Sequence, residues 1–74
     1  MELSSKAIEL CDSIEKKINY LKTIHDENEE ILMNQLDSII NIINSVKKNL
    51  SEDNVNNVYE ELKQIDNDID ELNN

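Results

Sequence analysis

Residues 25–30 read HDENEE, and whether the chain turns there decides the fold. Asp26 suits the cap of a helix, with Glu29 three residues on as its reciprocal partner, and acids are favoured at a helix N-terminus. No glycine or proline enforces a stop, because the chain contains neither. The steps from His25 through Asn28 to Leu32 even keep helical phase. A turn at 26–28 gives three helices of about 22 residues, or about 33 Å each at 1.5 Å per residue. Without it, residues 4–50 form one long helix and a shorter one folds back. Equal lengths and short connections suit antiparallel neighbours. The sequence therefore predicts an all-α fold, a small antiparallel three-helix bundle, as a single domain over 1–74 with helices at about 4–25, 28–49 and 52–72. The rival is a long-helix hairpin that dimerises into a four-helix coiled coil.

The apolar residues support helices throughout. Leu3, Ala7, Leu10, Ile14, Ile18, Leu21 and Ile24 step by three and four, with His25 at the end of the line; so do Leu32, Leu36, Ile39, Ile43, Val46 and Leu50; and so do Val55, Val58, Leu62, Ile65, Ile69 and Leu72. Nowhere does two-residue alternation persist, so strands are not expected. The phase breaks between Leu50 and Val55, where Ser51 is placed as a helix cap, Glu52 and Asp53 occupy the first turn, and Leu50 can staple against Val55.

The second helix is the unusual one. "SIINIINSV", residues 38–46, sets branched apolar side chains among asparagine and serine. At 100° per residue, Ile31 and Ile42 widen its stripe on one side and Met33 and Ile40 on the other. The apolar arc spans roughly 180°, against about 100° for an ordinary surface helix. Either this helix is deeply buried or its flank meets another chain.

At 74 residues the chain buries only about 60% of its unfolded surface, which makes a lone domain of this size marginal. A single cysteine rules out an intrachain disulfide, and no ligand cluster suggests a metal, so no cofactor is expected. Association with itself or with another protein is what remains. The N-terminal MELSSKAIEL lacks a signal-peptide layout, and no apolar run nears the roughly 20 residues that span a bilayer. The expectation is an intracellular, cytoplasmic protein with no membrane partner.

The net charge of −10 is unevenly placed. Residues 26–30 carry four acids; residues 51–74 carry eight acids and only Lys63. Asp66, Asp68, Asp70 and Glu71 crowd the third helix's C-terminal turns, where the macrodipole favours cations, and Asp66 with Asp70 is a like-charge i,i+4 pair. Elsewhere the helix rules hold: Glu2 with Lys6 and Asp12 with Lys16 are favourable pairs, and Lys47 and Lys48 sit at the negative end of the second helix. With seven lysines, no arginine and two tyrosines, there is no basic stripe or stacking platform, so direct nucleic-acid binding is disfavoured.

Catalysis finds no constellation. Cys11, at the edge of the first stripe, is about four turns from His25 on the same helix, too far for a thiol and its base. The acids of HDENEE lack the Glu-x-x-His motif of carboxylate-bridged metal bundles and the glycine of a calcium loop. The sequence thus predicts a non-enzymatic interaction module, an adaptor, assembly subunit or small chaperone. It would bind another protein through Ile31, Met33, Ile40 and Ile42. The alternative is an acidic inhibitor or antitoxin-like protein that covers a basic, nucleic-acid-binding surface of a partner through Glu60, Glu61, Asp68 and Glu71.

Overall fold

A computed structural model describes residues 2–73 of the chain, with side chains described for 3–72. It contains three helices, α1 (Glu2–Ile24), α2 (Glu30–Asn49) and α3 (Val55–Asn73), and no strand among the described residues. The chain turns at HDENEE, so the fold is the three-helix bundle. The Glu2–Lys6 pair lies outside the described side chains.

Both turns are made with negative φ throughout, which is how a chain without glycine manages them. Asp26 is not the cap of α2. Its carboxylate accepts the Asn28 N–H at 2.9 Å and its carbonyl accepts the Glu29 N–H at 2.9 Å, an Asx turn that spends the aspartate before the helix begins. Glu29 becomes the N-cap residue without a side-chain cap bond, its carbonyl taking the Met33 N–H at 3.0 Å. The helix start moves from the expected 28 to Glu30 for that reason.

At the second turn Leu50 adopts an extended conformation that stops α2, and the Ser51 carbonyl accepts the Val55 N–H at 3.0 Å. The side chain that closes this junction is Asn54. Its Oδ1 accepts the Ser51 N–H at 2.9 Å and its Nδ2 donates to the Asn49 carbonyl at 3.0 Å, so one amide satisfies groups at the end of α2 and the approach to α3. Residues 52–54 form the turn, which is why α3 begins at Val55 rather than 52.

The core is contributed unequally. α1 buries Ala7, Cys11, Ile14, Ile18 and Leu21; α3 buries Val55, Leu62 and Ile69; α2 buries only Leu36 and Ile43. α1 packs against both other helices, most extensively against α3, whereas α2 and α3 barely approach each other. This central position explains a correction to the first stripe: Cys11 lies inside the core, 1% exposed, and Leu10 moves to its half-buried margin. A helix flanked by two neighbours needs a buried arc that extends to both sides.

Candidate functional site

The ion pairs show which seams this chain closes for itself. Between α1 and α3, Lys17 Nζ lies 2.7 Å from Asp66 and 2.8 Å from Asp70. The like-charge pair that breaks helix rules on α3 is therefore compensated by a lysine from α1, which helix periodicity alone does not reveal. Both carboxylates hold the Lys17 ammonium above the usual lysine range through their hydrogen bonds. Between α1 and α2, Lys47 contacts Asp12 at 2.7 Å and Glu15 at 3.5 Å, and Lys22 pairs with Asp37. Asp12 thus reaches Lys47 across the seam. The Glu15 contact lacks hydrogen-bond geometry, since the same oxygen is buried without a hydrogen-bond partner.

The remaining seam, between α2 and α3, is open. A shallow groove opens at the end of it where α2 begins and α3 finishes, lined by Ile31, Asn34, Gln35, Ser38 and Ile39 from α2 and Leu72 from α3. It continues around the N-terminus of α2, where Asn28, Glu29 and Glu30 join Ile31. Ile31 is 79% exposed, Ile42 50% and Leu72 46%. Ile31 and Ile42 are eleven residues apart, three turns along one face. Leu72 belongs to the core line by its spacing, yet it ends on the surface, facing this groove in the last turn of α3.

The four apolar flank residues therefore divide. Ile31 and Ile42 stand exposed on the α3 side of α2, whereas Met33 and Ile40 are half-buried and packed against the core on its other flank. The four acids Glu60, Glu61, Asp68 and Glu71 are all exposed on α3. Asp68 accepts a hydrogen bond from Gln64 at 3.1 Å. Lys63, the helix's only lysine, lies 5.6 Å from the Tyr59 ring centroid in cation–π range.

The groups that sequence reading weighed for chemistry sit apart. His25 Nδ1 meets Glu29 Oε2 at 3.2 Å across the first turn, a local contact that straps the loop. Cys11 is sealed in the core, and burial pushes its thiol above the ordinary range, with Lys47 opposing and Asp12 and Glu15 reinforcing the shift. No group of three or more His, Cys, Asp or Glu side chains suited to a metal occurs among the described residues. No described helix is long and apolar enough to cross a membrane.

Fold and surface together define an all-α three-helix bundle with one unclosed seam. Comparison with protein-family models, curated proteins and solved structures yields no match.

Proposed function

We propose that this chain is a non-catalytic protein-interaction module that receives an apolar strip of another protein in the groove between α2 and α3. One observation carries the reading. The helix with the broadest apolar arc buries only Leu36 and Ile43, leaving Ile31 and Ile42 exposed on the side where α3 fails to reach it. A contiguous exposed apolar face on an acidic chain is a usual mark of an interaction surface. The contribution of Met33 and Ile40 is support from beneath, since core packing fixes the position of α2. The test is the double variant Ile31→Asn/Ile42→Asn, compared with the native chain for helicity by circular dichroism and for recovery of its partner from the source cell. Retained helicity with loss of the partner supports the reading. Loss of helicity would return both residues to the core and remove it.

A second reading is favoured by the surface of α3. Glu60, Glu61, Asp68 and Glu71 are exposed, while Asp66 and Asp70 share the Lys17 ammonium. An acidic inhibitor of a basic surface would use the first set. Its binding would fall steeply with salt and vanish on charge reversal of those four positions, with Ile31 and Ile42 dispensable.

A further inference from the structure

The proposed interaction site has a shape and a charge that together specify its occupant. In a square four-helix bundle each helix packs on two neighbours and leaves its diagonal partner untouched. α1 packs on both α2 and α3, and those two barely approach each other, which is the arrangement of three corners with the fourth vacant. The overall dimensions agree. From interaxial spacings near 10 Å and a Cα radius near 2.3 Å, a closed triangle of helices would measure about 15 × 13 Å in cross-section and three corners of a square about 19 × 12 Å; this chain, 40 × 21 × 15 Å, has the more elongated section.

The border of that corner carries one sign of charge. Glu29 and Glu30 line its end beside Ile31, and no lysine lines it anywhere. On α3, Glu61, Ile65, Asp68 and Leu72 recur at steps of four, three and four, which sets two carboxylates on the helix face that carries Leu72, the α3 residue lining the groove. Four of the seven lysines are engaged elsewhere: Lys17 on the opposite flank of α3, Lys22 and Lys47 on the α1–α2 seam, Lys63 over Tyr59. A second copy would bring another −10 charge and the same acidic rim against this one.

We infer that the vacant corner bordered by α2 and α3 accepts an amphipathic helix of another protein, one with an apolar stripe of about three turns flanked by lysine or arginine. The apolar stripe would cover Ile31, Ile39, Ile42 and Leu72, and the basic flanks would meet Glu29, Glu30, Glu61 and Asp68. This rests on the interaction reading above and adds the chemistry of the partner. It also brings Ile31 and Ile42 of α2 and two of the α3 acids, Glu61 and Asp68, into one site.

The experiment titrates the full chain with three synthetic 18-residue peptides: an amphipathic Leu/Lys helix, its Leu/Glu counterpart, and a scrambled Leu/Lys sequence of equal charge. Binding is followed by calorimetry and by NMR shifts of the isoleucine and leucine methyls. The Leu/Lys helix is expected to bind one to one, perturbing Ile31, Ile42 and Leu72, with the scrambled peptide at least about tenfold weaker. Reversal of two rim charges, Glu61→Lys/Asp68→Lys, is expected to weaken it several-fold, an effect that shrinks as salt is raised. Equal binding of the Leu/Glu helix at the same methyls would overturn the charge assignment while leaving the groove an interaction site. A stable dimer of the native chain that Ile31→Asn/Ile42→Asn dissociates would make a second copy the occupant, again sparing the interaction reading. Binding of the scrambled peptide as tightly as the helix, indifferent to Ile31 and Ile42, would remove both.

Discussion

Ile42 and Ile43 are adjacent in sequence and opposite in environment, one 50% exposed on the open seam and the other fully buried. Truncating Ile43 to alanine removes buried methyl groups and leaves a cavity, at a cost of about 2–4 kcal/mol. A single small core rarely supplies more than about 3–5 kcal/mol. Ile43→Ala is therefore expected to leave the chain largely unfolded in a urea titration followed by circular dichroism. Ile42→Asn should shift stability by no more than about 0.5 kcal/mol, as ordinary surface changes do; a loss comparable to that of Ile43→Ala would show that the groove is closed in solution. Helical spacing made this contrast readable in the sequence, because 100° of rotation separates the two side chains. It left open which flank of α2 is covered, since Ile40 and Ile42 are symmetrical about the stripe until α1 is known to lie on the Ile40 side. Cys11 offers a second check at this scale. Its burial and raised pKa predict that a thiol reagent at neutral pH modifies it only as fast as the chain opens, so labelling should accelerate with urea in step with unfolding. Rapid modification of the native chain would contradict the core position.

At the scale of elements, α3 shows how far local rules carry. Its C-terminal acids look uncompensated along the helix, yet Lys17 reaches Asp66 and Asp70 from a neighbour 49 and 53 residues away. Periodicity locates faces and cannot locate a partner on another helix, and the same limit hid Lys47 with Asp12. Capping was legible only in part. The break between Leu50 and Val55 was plain, but the residue that ties the junction is Asn54, whose amide serves two helices at once. The Lys17 bridge has a pH signature. Its folded pKa is raised, so its stabilisation is full below the ordinary lysine pKa and is lost as pH rises through the raised value. Lys17→Met is expected to cost roughly 0.5–1 kcal/mol at neutral pH, a modest sum because the three side chains are partly solvated. The difference between native chain and variant should then narrow as the alkaline limb is entered. A difference constant from pH 7 to 12 would show that the ion pairs contribute nothing.

For the molecule as a whole, the number of helices and their antiparallel order were legible because hydrophobic phase and turn chemistry are local properties. The arrangement in cross-section was not. Whether three helices close into a triangle or leave a corner vacant depends on which side chains meet across a seam, and composition gives only the hint that α2 carries more apolar surface than two neighbours need. This arrangement has a dynamic consequence. α1 and α3 share the longest seam and bury eight of the ten core side chains between them, while α2 adds only Leu36 and Ile43 to that set, with a half-buried margin that includes Met33 and Ile40 and two sets of ion pairs to α1. A helix with few buried contacts opens by local unfolding at lower free energy than the rest of the core. Native-state hydrogen exchange should accordingly find the amides near Leu36 and Ile43 at least about tenfold less protected than those near Ile14 and Leu62. An occupant of the vacant corner would add a second seam to α2, and mass action would stabilise the bound form. Saturation with the Leu/Lys helix should thus raise protection in α2 more than in α1. Uniform protection across all three helices in the free chain would mean that α2 is already fully braced, and that the corner it borders has no need of an occupant.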